Sequence, residues 1–251
     1  MTTPNLPSGR APTCAMLLAA GLGMRMRPLT DNKPKPLIEV AGRTLIDHAL
    51  DRLEDAGVKT AVVNVHYLGG QIETHLSTRK TPEIDISHEE TLLDTGGGVA
   101  KALPLLGKDV FYAVNSDALW LNGYEDTLLR MARLWNDDRM DALLLLHSTV
   151  EAYGYWGVGD FTIDPAGVLA RRAESEVSPY LFTGVQILHP RLFENAPGGA
   201  FSLNVLYDKA IDEGRLYGIV HDGEWFHVGS PEGLSEAESY LQARYAGTRR
   251  R

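Results

Sequence analysis

Residues 18–38 read Leu-Ala-Ala-Gly-Leu-Gly-Met-Arg-Met-Arg-Pro-Leu-Thr-Asp-Asn-Lys-Pro-Lys-Pro-Leu-Ile, and this stretch decides the fold. An apolar run ends here at two glycines, Gly21 and Gly23, and basic residues follow within a few positions. A buried strand that ends in a glycine turn lets backbone N–H groups approach a ligand closely. Arginine and lysine side chains just beyond such a turn suit phosphate oxygens. The stretch therefore predicts a polyphosphate site at the end of a β-strand.

Two common phosphate-binding motifs do not match this stretch. The dinucleotide fingerprint G-x-G-x-x-G requires a third glycine where this chain has Met26, and the Gly-Lys-Ser/Thr of a P-loop does not follow. The two glycines alone fit an ordinary turn between a strand and a helix equally well. The longer string, with its arginines, prolines and lysines, is what distinguishes a ligand site from such a turn.

The composition of the 251-residue chain is that of a globular protein, with 44% hydrophobic and 23% charged residues. The net charge of −9 argues against nucleic acid and anionic membranes as partners. No apolar run approaches the ~20 residues of a membrane-spanning helix, and residues 1–12 lack the apolar segment of a signal peptide. A single cysteine, Cys14, rules out an internal disulfide. We therefore expect a cytoplasmic protein, and the sequence leaves its oligomeric state open.

Strand-like and helix-like segments alternate along the first 150 residues. Strands are predicted at 14–20, 37–40, 60–65, 84–88, 110–114 and 142–147, and helices at 43–56, 71–76, 95–103 and 124–135. This alternation predicts an α/β fold with a Rossmann-like, doubly wound, mostly parallel sheet and helices on both faces. Ligands bind such sheets at the carboxyl ends of the strands. Gly21 and Asp117 both follow predicted strands, so we expect them to share one cleft.

The pattern changes after about residue 150. Three segments at 155–161, 168–172 and 181–188 look like strands joined by turns, and they predict a small antiparallel lid over approximately 150–200. Helices at 203–213 and 231–245 follow, with short strands at 216–220 and before Gly229. We expect a flexible tail at 1–12, a single domain over 13–245 and a basic tail at 246–251.

The glycine-rich string resembles the signature of the sugar-1-phosphate nucleotidyltransferases. That signature is G-x-G-x-R-x-x-P-L-T followed by P-K-P-L, which residues 21–30 and 34–37 match. The resemblance covers residues 14 to about 240 and implies the GT-A-like fold of these enzymes. They join a sugar 1-phosphate to a nucleoside triphosphate and release pyrophosphate. Such chemistry needs positioning and charge neutralisation rather than a covalent protein intermediate.

The resemblance implies roles for the basic loop. Arg25 neutralises the β- and γ-phosphates and the leaving pyrophosphate. Lys35, whose neighbouring prolines have a fixed φ, contacts the phosphates, so both residues are catalytic candidates. The alternative for Lys35 is a solvated surface lysine, and Arg27 fits an ion pair with a surface carboxylate better than a phosphate contact. The predicted nucleotide-binding residues of this segment are Ala19, Ala20, Gly21 and Gly23.

A metal site is predicted from two segments that are distant in the chain. Asp117 ends a buried strand, and a carboxylate there is a fair Mg²⁺ ligand, although a turn aspartate is the alternative. The second ligand of the family lies in W-x-D-V-G-T, where this chain has His227 between Phe226 and Val228. Imidazole is a softer ligand than carboxylate, so Mn²⁺ or Co²⁺ are plausible substitutes for Mg²⁺. His227 either binds the metal directly, or acts through a water molecule, or marks an inactive site.

The base and sugar pockets are predicted by resemblance. Residues 90–98 match the segment that lines the base pocket, with Gly96 and Gly97 at its glycine run; a plain helix N-terminus capped by Thr95 is the alternative. Residues 182–184 match a Y/F-T/S-G motif that contacts the sugar. The glutamate of the family's E-K-P motif is best matched by Glu174, but its lysine is missing here. The predicted sugar-binding residues are Asn115, Glu174, Thr183 and Gly184.

Within the family, the short chain, its G-x-R-M-R-P-L-T-D start and residues 64–68 most resemble the N-acetylmuramate-1-phosphate uridylyltransferases of peptidoglycan recycling. This resemblance implies UTP and N-acetylmuramate 1-phosphate as substrates. The nearest alternative is a mannose-1-phosphate guanylyltransferase, whose first motif is almost the same. An alternative of another class is a catalytically silent nucleotide-binding paralogue that regulates a partner enzyme, which His227 and the missing lysine favour.

Overall fold

The computed structural model describes residues 11–248, and the side chains of residues 11–244. Thirteen strands and six α-helices are found in this part of the chain. The strands are β1 (Cys14–Leu18), β2 (Glu39–Val40), β3 (Arg43–Thr44), β4 (Thr60–Val65), β5 (Glu83–His88), β6 (Phe111–Asn115), β7 (Ala118–Leu121), β8 (Ala142–Ser148), β9 (Phe161–Ile163), β10 (Leu169–Arg171), β11 (Tyr180–Leu188), β12 (Leu216–Val220) and β13 (Glu224–His227). The helices are α1 (Leu45–Asp55), α2 (Gly69–Leu76), α3 (Asp94–Leu106), α4 (Thr127–Leu134), α5 (Asn204–Asp212) and α6 (Pro231–Thr248).

A mixed sheet of nine strands forms the centre of the described part. Strand β1 pairs in parallel with β4 and β6, and β4 pairs in parallel with β5. Strand β11 lies antiparallel between β6 and β8, and β12 pairs in parallel with β8. The apolar run of β1 is buried because helices cover both faces of this sheet. The order brings the carboxyl ends of β1 and β6 side by side, which positions the candidate site.

The helices cover the two faces of the sheet through separate apolar clusters. Residues of α1, α2 and α4 pack on one face, and residues of α3 and α5 pack on the other. Helix α1 shows how the sequence specifies this arrangement. The Thr44 side chain caps its first turn by accepting from the Asp47 N–H, and its apolar positions fall on one buried stripe. The predicted doubly wound α/β fold is therefore confirmed.

The predicted lid needs a correction. Strand β11 lies in the main sheet, not in a separate insertion, because it pairs with β6 along one edge and with β8 along the other, and most of its residues are buried. The strand predicted at 155–161 begins only at Phe161, since Gly154 and Gly159 have φ of +70° and +77° and do not fit an extended strand. The short β9–β10 hairpin is antiparallel and attaches to β11 at the sheet edge. Closure of residues 150–179 over the site stays a prediction.

A two-stranded sheet of β7 and β13 supports the site from the side. The sequence did not predict β7, because its four residues follow β6 after a break of two. Helix α6 packs on this sheet through Ala237 and Leu241, which join Phe226 in a third apolar cluster. Helix α6 reaches Thr248, beyond the predicted domain end at 245. The rest of the predicted basic tail and nearly all of the predicted N-terminal tail lie outside the described residues. Within the described range, we find no helix both long and apolar enough to cross a membrane.

Candidate active site

A cavity of about 380 Å³ opens at the carboxyl ends of β1 and β6. Its walls come from the glycine loop after β1, the residues after β6 and the start of α3. The prediction that Gly21 and Asp117 share one cleft is thereby confirmed. The lining residues are Leu18, Ala19, Ala20, Gly21, Gly23, Lys35, Pro36, Asn64, Leu92, Asp94, Thr95, Asn115, Ser116 and Asp117.

The glycine loop turns back tightly onto the segment that follows it. Gly23 has φ of +64°, and a Cβ there would lie 3.1 Å from side-chain carbons of both Lys35 and Thr30. The Thr30 hydroxyl is buried and donates to the Gly23 carbonyl at 2.8 Å. Gly21 has open space where a side chain would stand. The Pro-Leu-Thr part of the signature thus holds the loop, while the glycines leave its backbone accessible from the cavity.

The cations of the loop divide into two groups. Lys35 faces the cavity and forms an ion pair with Asp117, and its side chain is 12% exposed. A solvated surface lysine does not describe this residue. Arg25 is exposed and forms no ion pair with any residue that the structure describes. Arg27 pairs with Asp31 at 3.4 Å on the surface, as the sequence favoured. A binding role for Arg25 and Lys35 remains a prediction that this arrangement supports.

A buried polar network behind the cavity was missed by the sequence reasoning. Asn64, 2% exposed at the end of β4, accepts from the Ala19 N–H at 2.8 Å and donates to Glu89 at 2.7 Å. The second oxygen of Glu89 accepts from the Leu93 N–H at 2.9 Å. The network ties the glycine loop to the start of α3 through two side chains. Gly98 makes room for it, since a Cβ there would lie 2.7 Å from the Asn64 Nδ2.

The candidate metal ligands are brought together by β7 and β13. His227 pairs in register with Ala118, the residue after Asp117, so two segments more than 100 residues apart in the chain meet here. Burial lowers the pKa of the His227 imidazole, and the nearby cations Lys35 and Arg25 lower it further, while Asp117 acts in the opposite direction. A lowered pKa favours the neutral ring, which is the form that binds metals.

The donor set fits a cation that is held mainly by its substrate. Within residues 11–248, no group of three or more His, Cys, Asp or Glu side chains could hold a metal ion. Asp117 and His227 therefore supply at most two protein ligands. Mg²⁺ in nucleotide enzymes is commonly bound by one or two carboxylates together with substrate phosphates, which matches this number.

The glycine run at the start of α3 has a different role from the predicted one. The Gly96 and Gly97 N–H groups donate to the Phe201 carbonyl at 2.8 and 3.1 Å, so they are not available to a base edge. A Cβ on Gly96 would lie 2.3 Å from the Phe201 ring. Thr95 is not the cap, because α3 begins at Asp94 and the Thr95 hydroxyl accepts from the Leu203 N–H. These glycines allow the 199–203 segment to approach, and Asp94 and Thr95 line the cavity instead.

Of the four predicted sugar-binding residues, only Asn115 lines the cavity. Asn115 lines the cavity, and a Cβ on Gly184 would lie 2.7 Å from its Nδ2, so Gly184 gives Asn115 its place. The Thr183 hydroxyl is buried and donates to the Leu145 carbonyl, which makes it a structural contact. Glu174 is exposed and does not line this cavity, and its backbone carbonyl accepts a hydrogen bond from Arg172. A sugar contact by Glu174 stays a prediction.

Comparison with known proteins identifies the family of this chain. The family described as "Nucleotidyl transferase" matches residues 14–244. The chain is 43% identical over 237 residues to the N-acetylmuramate alpha-1-phosphate uridylyltransferase of Caulobacter vibrioides, covering 92% of this chain and 98% of the relative. It is 36% identical over 240 residues to the enzyme of the same name from Neisseria meningitidis serogroup B, covering 91% and 98%.

More distant similarities are found both in sequence and in fold. A mannose-1-phosphate guanyltransferase beta-A of Xenopus laevis is 27% identical, over 91% of this chain and 65% of the relative. The crystal structure of a UDP-glucose pyrophosphorylase complexed with UDP-glucose superposes with a TM-score of 0.74 at 19% identity, covering 92% of this chain and 98% of that one. By the family match over residues 14–244, its relatives and its fold, the chain belongs to the nucleotidyl transferase family.

Proposed function

We propose that the protein transfers the uridylyl group of UTP to a sugar 1-phosphate, N-acetylmuramate 1-phosphate, and releases pyrophosphate. The observation that carries this proposal is the identity of 43% and 36%, over nearly the whole chain, to two enzymes named for that reaction. The sugar is a component of peptidoglycan, so we place the reaction in the cytoplasmic recycling of the cell wall.

The geometry supports transfer in a single displacement. An oxygen of the sugar phosphate attacks the α-phosphorus of UTP, the bond from that phosphorus to the bridging oxygen of the β-phosphate breaks, and pyrophosphate leaves with the electron pair. The chain needs to align these groups and to neutralise their charge. The loop backbone at Gly21 and Gly23 borders the cavity, and Lys35 faces it. Arg25, which has no described carboxylate partner, completes the cationic side.

We further propose that Asp117 and His227 hold a divalent cation, Mg²⁺ by preference. The cation supplies charge neutralisation at the phosphates and orients them. Asp117 presents oxygen, the donor that Mg²⁺ prefers, and the neutral His227 adds a nitrogen from the opposite strand. Lys35 already pairs with Asp117, so this carboxylate is held in place toward the cavity before substrate binds.

The test is pyrophosphate release from pairs of substrates. UTP, GTP and dTTP are each combined with N-acetylmuramate 1-phosphate, N-acetylglucosamine 1-phosphate and mannose 1-phosphate, in Mg²⁺ and again in Mn²⁺. We expect the highest kcat/KM with UTP and N-acetylmuramate 1-phosphate. Preferred turnover of GTP with mannose 1-phosphate would replace this proposal by the guanylyltransferase, which is named for relatives at 27% identity.

A catalytically silent nucleotide-binding protein is the second candidate. His227 in place of the family's aspartate and the missing lysine near Glu174 are the observations that favour it. Calorimetric titration with UTP distinguishes the two functions. Binding of UTP without pyrophosphate release from any substrate pair would establish the silent protein, whereas turnover excludes it.

A further inference from the structure

A second cavity of about 210 Å³ adjoins the cavity at the carboxyl ends of β1 and β6. The two share three lining residues, Asp94, Thr95 and Asn115, so a ligand can extend from one into the other. The second cavity continues between β11 and the start of α5. Its remaining lining residues are Phe182, Gln186, Ser202, Leu203, Asn204 and Tyr207. We call it the side cavity.

Gln186 is the informative residue of the side cavity. Its side chain is 1% exposed, and its Oε1 accepts from the Tyr207 hydroxyl at 2.6 Å. Among the residues that the structure describes, its Nε2 group has no hydrogen-bond partner. This amide is nevertheless not enclosed by protein, since Trp120 carries the one fully buried unpaired side-chain atom of the described residues. Because its N–H groups open on the side cavity without a described partner, Gln186 offers them to whatever fills the cavity.

The fold holds Gln186 in this position. The pairing of β11 with β8 shifts between Phe182 and Gln186, and Gly184 within the shift has φ of +84°. Beyond the shift, Gln186 pairs with Ala113 of β6 and Leu144 of β8, both fully buried. A glutamine among such neighbours gains nothing from packing that an apolar residue would not supply better. The polar side chain at this position therefore indicates a contact with a ligand.

A second amide at the cavity, that of Asn204, is exposed but also has its oxygen engaged. The Asn204 Oδ1 accepts from Arg171 at 3.1 Å, and Arg171 is itself held by Asp208 at 2.7 Å. With the oxygens of both amides engaged, their N–H groups remain as donors at one cavity. The described lining includes one carboxylate, that of Asp94, and no Lys, Arg or His. Two neutral donors beside one carboxylate favour a neutral acceptor, such as an amide carbonyl, over a carboxylate.

We propose that the side cavity binds the acetamido group of an N-acetylated sugar 1-phosphate, with Gln186 donating to the acyl oxygen. Phe182 and Leu203 supply apolar contacts for the methyl group. This assignment rests on the proposed function and names the part of the substrate that the site selects. Tyr207 is a positioning residue, because its hydroxyl fixes which end of the Gln186 amide faces the cavity.

The experiment measures selectivity with three sugars. Glucose 1-phosphate has no acyl group, N-acetylglucosamine 1-phosphate adds the acetamido group, and N-acetylmuramate 1-phosphate adds the lactyl carboxylate as well. We expect Gln186→Met to lower the kcat/KM ratio of N-acetylglucosamine 1-phosphate to glucose 1-phosphate by about 10- to 100-fold. The KM for UTP stays unchanged. Gln242→Met, on the exposed surface of α6, is the matched control and leaves the ratio unchanged.

Two further variants guard against a folding artefact. Gln186→Met leaves the Tyr207 hydroxyl without its acceptor. The double variant Gln186→Met/Tyr207→Phe removes both hydrogen-bond partners, so no polar group is left unpaired there. We expect it to lose the same selectivity with a Tm close to that of the wild type. Tyr207→Phe alone frees the Gln186 amide to rotate, and we expect a smaller loss.

Different failures point to different errors. If the wild type prefers N-acetylated sugars and the double variant keeps that preference, the assignment of the side cavity is wrong and the proposed function stands. If the double variant loses only the preference of N-acetylmuramate over N-acetylglucosamine, the cavity binds the lactyl group and the acetamido assignment is overturned. A wild type that prefers glucose 1-phosphate overturns the proposed function and this assignment together.

Discussion

At the scale of single residues, the two lysines of the loop make a sharp comparison. Lys35 is largely buried against the cavity and pairs with Asp117, whereas Lys33 is exposed and lines no described cavity. We expect Lys35→Ala to lower kcat by about 10²- to 10³-fold, because a fixed charge near the reacting phosphates is lost. Lys33→Ala should change kcat less than about twofold, since surface charges are screened by solvent. Steady-state pyrophosphate release measures both. Equal effects of the two substitutions would remove Lys35 from the active site.

A second prediction concerns His227, the proposed nitrogen ligand of the cation. His227→Asp restores the residue type that the family motif carries and adds a negative charge beside Asp117. We expect the Mg²⁺ concentration for half-maximal rate to fall by about 10-fold, and the ratio of Mn²⁺- to Mg²⁺-supported rates to fall with it, because Mg²⁺ prefers oxygen donors. A metal titration of both proteins tests this. An unchanged Mg²⁺ requirement and an unchanged metal preference would place His227 outside the metal site.

At the scale of elements, the network of Asn64 and Glu89 joins β1, β4 and α3. Glu89→Leu leaves the Asn64 amide and the Leu93 N–H without an acceptor in a buried place. We expect the free energy of unfolding to fall by about 3 kcal/mol and the KM for UTP to rise, since the loop and the start of α3 lose their common anchor. Urea unfolding and initial rates measure these effects.

The neighbouring Glu90 gives the control. It is exposed, so Glu90→Leu should change the free energy of unfolding by less than about 0.5 kcal/mol. Gly98→Ala disturbs the same network by a different route, because the added Cβ would lie 2.8 Å from the Glu89 Oε1. A Glu89→Leu protein as stable as Glu90→Leu would show that the network contributes nothing to the fold.

The turn between β12 and β13 carries a pH dependence through His221. This ring is 5% exposed, and burial together with the neighbouring His147 lowers its pKa from 6.5 to about 4. The unfolded chain therefore binds a proton below about pH 6.5 that the folded chain rejects until about pH 4. Folded-state stability is fully present above about pH 6.5 and falls as the pH is lowered through this window, by at most about 3 kcal/mol.

Urea unfolding between pH 7.5 and 4.5 checks this dependence, with His221→Gln as the comparison. The substitution removes the titrating group while keeping a hydrogen-bond donor for the Leu121 carbonyl, which His221 Nε2 reaches at 3.1 Å. We expect the slope of stability against pH to become shallower in the variant. The same slope in both proteins would exclude His221 as its source.

At the scale of the whole molecule, the sequence predicted what local patterns encode. The apolar run before Gly21, the periodicity of α1 and the β-branched run of β4 depend on residues close in the chain, so both the doubly wound sheet and the shared cleft followed from them. Strand β11 was recognised as a strand but placed in a lid, because its partners β6 and β8 cannot be read from its own residues.

The parts of the site that the sequence missed are formed by distant residues. The Phe201 carbonyl occupies the N–H groups of Gly96 and Gly97, and nothing in either segment alone indicates that contact. Gln186 looks like one polar residue in an apolar strand, and its significance follows only when Tyr207 engages one end of its amide. A polar residue inside a mostly apolar predicted strand was the available signal for this side chain.

The central claim is the identity of the product, and a competition tests it most directly. The wild-type protein is supplied with equal amounts of UTP and GTP, and of N-acetylmuramate 1-phosphate and mannose 1-phosphate, with Mg²⁺, and the sugar nucleotides formed are identified by mass spectrometry. Our account predicts UDP-N-acetylmuramate as the dominant product, with pyrophosphate in equal amount. GDP-mannose as the dominant product, or nucleotide bound but no sugar nucleotide formed, would contradict it.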